Sequence, residues 1–229
     1  MAGGLPVPRA AACSILHVTG ARRRFAVARV DLAALHAAGR RHGGTVNDAL
    51  LTAVGGALTT LLDGRGEHVA TFRMAVMVAG RWAASADAPG NQAVPLIVDV
   101  PGTGTPLERL ERMAGAVRAA RPPTPVPPTL LRLLAATGLY RLYLRHQHRL
   151  HTLVSNVPGP DRPLTLDGAP ITAIIPIDIA EAGNLTVTVV ALSYAGTFTV
   201  TISADPDSVP DLPILAAALQ AELDALTTP

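Results

Sequence analysis

"VTVVALSYAGTFTVTISADPDSVPDLPILAAALQAELDAL", Val187 to Leu226, decides the fold class. Two runs rich in β-branched and apolar residues flank Ala195 and Gly196, the pattern of a hairpin. "DPDSVPD" (Asp205 to Asp211) then stops the second strand. It has the acidity of a calcium loop without the central glycine or the closing glutamate, so it reads as a turn and a helix cap. Asp211 introduces a closing helix. Two paired strands followed by a helix that must bury one apolar stripe call for a sheet with helices laid on it.

Working outward, "RFAVARVDL" (Arg24 to Leu32) alternates apolar and polar residues and predicts a strand. Asp31 can cap the helix "LAALHAAGRRHG", which Gly43 and Gly44 end. "TVNDALLTAVGGALTTLLDGRG" (Thr45 to Gly66) is the clearest helix. Thr45 stands at its N-cap and Asp48 three residues on completes a capping box, with Asp in place of Glu. Gly55 and Gly56 weaken it by about 1 kcal/mol each relative to alanine, a cost that suits close packing on a sheet.

"VATFRMAVMVAG" (Val69 to Gly80) and "NQAVPLIVDV" (Asn91 to Val100) predict strands joined by a polar loop with Arg81 and Trp82. "TPLERLERMAGAVRAAR" predicts an amphipathic helix, and "TLLRLLAATGLYRLYLRHQHRL" a long basic one behind a stiff "PPTPVPP" spacer. That basic helix suits either the domain's own sheet or a membrane surface, with Leu130, Leu131, Leu133 and Leu134 buried and arginines snorkelling. The rest is β-rich: Thr152 to Asn156, "PITAIIPIDI" from Pro170, and the hairpin. The expected architecture is an α/β two-layer sandwich with mixed strands and helices on one face. One domain spans residues 24–229, behind a linker or N-terminal arm at 1–23.

Composition narrows the function. Hydrophobic residues make up 49% of the 229 and aromatics 3%, so aliphatic side chains fill the core. All 19 basic residues are arginine, yet the net charge is only +2. No aromatic-studded basic stripe appears, so nucleic acid is not an expected partner. A single cysteine, Cys13, excludes an intramolecular disulfide. No run reaches the roughly 18 apolar residues of a membrane span, and the N-terminus lacks the layout of a signal peptide. A cytoplasmic location, with contact to a membrane or lipid-droplet surface, is the expectation.

The usual catalytic constellations are absent. There is no lysine for a P-loop, no third glycine after Gly102 and Gly104 for a dinucleotide fingerprint, and Ala191 stands where a nucleophile elbow needs its first glycine. The cluster His146, His148 and His151 has two readings: a solvated helix end near the helix's negative pole, or metal or acid–base chemistry, with His148 and His151 on one helix face.

Four motifs in register carry a resemblance: "GGTVNDALLTAVGGAL", "GNQAVPLIVDVP", "LVSNVPGP" and "VTVVALSYAGTFTVTISADPDSVPDL". Together they resemble the C-terminal domain of the bacterial wax ester synthase/acyl-CoA:diacylglycerol acyltransferase (WS/DGAT) family, abundant in actinomycetes, from about Arg22 to the C-terminus. The resemblance implies one half of a CoA-dependent acyltransferase (chloramphenicol acetyltransferase-like) fold, in which two α/β halves enclose a tunnel. It implies acyl-CoA as a substrate rather than a cofactor, and diacylglycerol or a fatty alcohol as acceptor. The implied partner is an N-terminal half bearing HHxxxDG, whose second histidine acts as general base, or a full-length relative. No histidine in this sequence has an aspartate four positions later, so the motif is missing. The positions near the tunnel that the resemblance implies are Asn47, Asp48, Arg81, Asn91, Ser155 and Asn156, where Arg81 matches only part of its motif. None of them is expected to be catalytic, and no metal or cofactor is expected. For Asn47 and Asp48 a plain helix cap is the competing reading. For the turn after Asn156 the two readings are a pre-ordered tunnel wall and a buried turn satisfying its own backbone.

Overall fold

The computed structural model describes residues 9–78, 94–120, 136–178 and 183–228. Among the described residues eight strands run β1 Arg24–Asp31, β2 Thr71–Val78, β3 Val94–Pro101, β4 Thr152–Val157, β5 Thr165–Leu166, β6 Ala169–Pro170, β7 Val187–Tyr194 and β8 Thr197–Ala204. Helices are α1 Leu32–Arg41, α2 Val46–Gly64, α3 Pro106–Met113, α4 Ala116–Ala119, α5 Leu139–Arg145 and α6 Leu212–Thr227.

Six strands form one mixed sheet in the order β1-β8-β7-β4-β2-β3. The pairs β1/β8, β8/β7 and β2/β3 are antiparallel, whereas β4 lies parallel to both β7 and β2. The predicted hairpin is β7–β8. Its turn needs left-handed backbone at both Ala195 (φ 46) and Gly196 (φ 86), which glycine supplies without steric cost at the second position.

The core lies between the sheet and α1, α2, α3 and α6. Val187, Val189 and Ala191 of β7 and Phe198, Val200 and Ile202 of β8 join Leu51, Leu58 and Leu62 of α2 and Leu215, Leu219 and Leu223 of α6 in one buried cluster. Burying each large aliphatic or aromatic side chain contributes about 1.5–3 kcal/mol. Gly55 fits the packing role expected of it: a Cβ there would approach Val100 Cγ1 to 2.8 Å. Gly56 makes room for something else. A Cβ there would strike the buried pair of Arg109 (α3) and Glu222 (α6).

Several expectations are corrected. The helix "TPLERLERMAGAVRAAR" is two helices, because Gly115 adopts φ 79 between them. Of "PITAIIPIDI", Pro170 belongs to a strand and 171–178 carry no regular secondary structure and join no sheet among the described residues; Ile179 lies outside them. Asp211 stands at the N-cap of α6, but its carboxylate is taken by Arg65 (2.5 Å) and makes no capping bond. The long basic helix is described only from residue 136 onward, where Gly138 (φ 73) precedes α5; Leu130, Leu131, Leu133 and Leu134 lie outside the described residues.

The described part of the N-terminal arm is fastened to the domain. Ile15 is completely buried, its carbonyl accepts from the Thr186 hydroxyl (2.5 Å), and Arg65 donates to the Ser14 hydroxyl (2.6 Å).

Candidate functional site

The N-terminus of α2 and the C-terminal end of β4 meet at the candidate site. The Thr45 hydroxyl accepts from the Asp48 backbone N–H (3.2 Å), and one Asp48 oxygen accepts from the Thr45 N–H and hydroxyl (both 2.9 Å). This is the predicted capping box, and it consumes Oδ2. Oδ1 of the fully buried Asp48 has no hydrogen-bond partner among the described residues. Asn47, the second residue of α2, is half-buried beside this cap.

Asn47 meets Asn156. The Asn156 Nδ2 donates to the Asn47 Oδ1 at 2.6 Å across 109 residues of chain. Val154 of β4 is in the helix-side core, so Asn156, two residues on, lies on that same face. Ser155 therefore lies on the opposite face, opposite Val190 of β7 and Met77 of β2. The sheet thus brings Asn47, Asp48 and Asn156 together and sets Ser155 apart. Arg81 and Asn91 lie outside the described residues.

The stiff turn after β4 is anchored on the β7–β8 hairpin. Gly159 N–H donates to the Ser193 hydroxyl (3.1 Å) and Ala195 N–H to the Pro160 carbonyl (3.1 Å). A Cβ at Gly159 would overlap the Ser193 carbonyl oxygen. Pro158, Pro160 and Asp161 are exposed, so the reading of a buried turn does not describe it.

The histidine cluster is dispersed. Helix α5 ends at Arg145, so His148 and His151 share no helix face. His146 and His148 are exposed. His151 is completely buried, edge-on to Phe72 with ring centroids 5.4 Å apart. Its Nδ1 accepts from the Arg73 N–H (2.9 Å), so the neutral ring carries its proton on Nε2 and donates it to the Ala11 carbonyl (2.9 Å). Burial holds its pKa below the ordinary histidine range. Sequence reasoning missed this role. The signal available was position, since a histidine directly before a buried strand is itself prone to burial.

No group of three or more potential metal ligands occurs among the described residues. A surface depression of about 620 Å³ is lined by Thr103, Gly104, Glu108, Glu111 and Arg112. Its charged groups are already engaged: Glu108 with Thr105, Glu111 with His42, Arg112 with Thr103. What the Asn47–Asn156 pair offers is two fixed amides at the mouth of a strand and a helix, able to position a polar group but not to take a proton from it.

Comparison with known proteins supplies the lineage. The family model for the WS/DGAT C-terminal domain matches residues 90–227. The chain belongs to the WS/DGAT C-terminal domain family. A Mycobacterium tuberculosis protein that carries the name of a diacylglycerol O-acyltransferase is 30% identical over 219 residues, covering 89% of this chain and 44% of that relative. Wax ester synthase/diacylglycerol acyltransferase 8 of Arabidopsis thaliana is 35% identical over 81 residues, or 35% of this chain and 16% of its own. Among solved structures, the wax ester synthase/diacylglycerol acyltransferase from Marinobacter aquaeolei VT8 superposes with a TM-score of 0.74 at 21% identity, covering 95% of this chain and 51% of that one. The condensation domain of the monacolin K polyketide synthase MokA superposes at 0.58 and 14% identity, covering 98% of this chain and 53% of that one.

This WS/DGAT C-terminal domain therefore has the CoA-dependent acyltransferase fold, of the condensation-like kind. It spans 44% of the length of the mycobacterial relative. Among the described residues no single helix is long and apolar enough to cross a membrane.

Proposed function

We propose that this chain acts as the C-terminal half of an acyl-CoA-dependent O-acyltransferase that makes triacylglycerols or wax esters. The supporting observation is coverage: alignment runs over nearly all of this chain but under half of the mycobacterial relative. The missing half would bring HHxxxDG, whose histidine deprotonates the acceptor hydroxyl as it attacks the thioester carbonyl. This chain would supply tunnel wall. Asn47 and Asn156, held by their mutual bond, would orient the acceptor or the thioester, with Asp48 fixing the helix start. Ser155, Arg81 and Asn91 are assigned to the tunnel surroundings on the strength of their motifs alone. No cofactor or metal enters the reaction; acyl-CoA is a substrate.

General-base assistance is worth typically 10²- to 10⁴-fold. His151 cannot supply it here, because both of its ring nitrogens are already bonded within the fold. The chain alone is expected to be silent toward labelled long-chain acyl-CoA with diacylglycerol or a fatty alcohol, and active when joined by an HHxxxDG half. Transfer by the chain alone would refute the assignment.

A second reading, a non-catalytic module that binds lipid, a membrane or a full-length relative, draws on α5. Leu139, Leu142 and Tyr143 expose about half of their surface there. Under the first reading the protein is cytoplasmic with peripheral contact to a membrane or lipid droplet. Under the second, co-sedimentation with phosphatidylglycerol vesicles would persist without any acyl transfer in the joined protein.

A further inference from the structure

His151 sits between two partners that fit only one of its protonation states. Its Nδ1 accepts from the Arg73 N–H of β2 (2.9 Å), its Nε2–H donates to the Ala11 carbonyl (2.9 Å), and the residue is completely buried. An imidazolium carries N–H on both nitrogens. Its second proton would point at the Arg73 N–H, donor against donor, with no solvent to take it. A charged ring therefore requires the site to open.

The element able to open is the start of the arm. Residues 9–12 rest on two hydrogen bonds among the described residues: Ala10 N–H to the His148 carbonyl (2.7 Å), and the bond from His151 to Ala11. Ala11 and Ala12 are exposed and Ala10 is half-buried, so little apolar surface holds this stretch down. From Ser14 onward the arm is fixed differently. Ser14 N–H donates to Glu67 (2.7 Å), the Thr186 hydroxyl donates to the Ile15 carbonyl (2.5 Å), and Ile15 belongs to the core. An opening that begins at His151 stops there.

Burial, more than any neighbouring charge, keeps the ring neutral. On the strands, Arg73 opposes an imidazolium and Asp99 favours it, and the two are ion-paired with each other (2.7 Å). Phe72, edge-on to the ring, is uncharged. On the arm, Arg9 is exposed, and the Cys13 thiol, pushed up to about 11 by burial, is neutral. On its own side of the chain, His146, His148 and Arg149 are exposed.

We infer that protonation of His151 unlatches residues 9–12 while the sheet and the arm from Ser14 onward stay folded. The clasp is closed above the ordinary histidine value of about 6.5. It opens as pH falls from there through the lower value of the closed state, by up to about tenfold per pH unit, because opening takes up one proton. The proton thus decides where the N-terminal side of the chain parts from the domain. The clasp is independent of the half-enzyme reading, and its test needs no acyl transfer.

The test is NMR on the 229-residue chain from about pH 7.5 to about pH 5, either side of the ordinary histidine range. Ring nitrogen shifts report the tautomer and charge of His151. Amide protection factors, corrected for intrinsic exchange at each pH, are compared at Ala10 and Arg73 and at Val189 and Val200 in the core strands. At the upper pH the expected ring is the neutral Nε2–H tautomer, with all four amides protected. On acidification Ala10 and Arg73 should lose protection at least tenfold, in step with the imidazolium signal, while Val189 and Val200 remain far better protected. Loss at all four amides together would mean that the proton unfolds the whole domain, and would overturn the clasp. An imidazolium signal with Ala10 still protected would show the ring charging in place, and would overturn it as well. His151→Gln, neutral at every pH, should remove the pH response at Ala10, whereas His148→Gln should keep it; the reverse pattern would assign the proton to His148 and reject the inference.

Discussion

The amide pair at the site can be weighed from its bond. Asn156→Ala removes the 2.6 Å donor to Asn47 at a half-buried position, which costs about 0.5–1.5 kcal/mol of stability. If the pair only ties β4 to α2, Asn156→Ala in the joined enzyme lowers the unfolding midpoint and leaves kcat/KM alone. If the pair orients a reactant, kcat/KM falls at least tenfold at temperatures where the variant is fully folded. The second outcome is expected, because among the described residues no hydrogen bond engages Asn47 Nδ2 or Asn156 Oδ1, and both side chains are only half-buried. Asp48→Asn separates the cap from the site: it weakens one charge-assisted capping bond and should reduce stability with little effect on turnover.

At the scale of elements, Gly56 marks where α2, α3 and α6 close over one ion pair. Arg109 and Glu222 are both largely buried, and burial raises the Glu222 pKa against the pull of Arg109. Such a pair stabilises little in itself, but displacing one partner leaves a buried charge, at a cost of about 3–5 kcal/mol. Gly56→Ala should therefore cost several kcal/mol in urea unfolding, although alanine favours helix by about 1 kcal/mol. The segment 9–20 is held at its other end by His151, which Arg73 N–H, Ala11 O and Phe72 surround, with the Arg73–Asp99 ion pair on the same strand register. Because the folded state depresses the His151 pKa, protonation favours the unfolded chain. The stability held by the neutral ring is full above the unfolded value of about 6.5 and declines as pH falls from there through the lower folded value. The thermal midpoint should drop between pH 7 and 5, and His151→Gln should flatten that drop while lowering the midpoint at pH 7.

At the scale of the molecule, what the sequence made legible was whatever local periodicity controls. The β7–β8 hairpin, the capping box of α2 and the strand β4 all follow from alternation, caps and turn residues within a dozen positions of one another. Three things were not legible, each because it depends on a distant partner. Asn156 finds Asn47 only through the sheet order. His151 is buried by an arm 140 residues away. The strand expected from Pro170 has the right residues but, among the described residues, no neighbour in a sheet beyond Pro170. The arm is the case in which distance changes the boundary of the folding unit. Residues 1–23 read as a linker or N-terminal arm, and within their described part Ile15 is fully buried and belongs to the core cluster with Leu62, Val209 and Leu212. Ser14 N–H donates to Glu67 (2.7 Å), and Gly20 N–H to Asp205 (2.6 Å). Ile15→Ala should thus cost about 2–5 kcal/mol, the range of a large-to-small change in a core, whereas Val18→Ala at a 36% exposed position should cost little. Urea unfolding with both variants separates the alternatives. A loss below about 0.5 kcal/mol, the usual scatter of surface substitutions, would return the arm to linker status. A loss in the core range with an unchanged m-value would make residues from about Cys13 onward part of the cooperative unit.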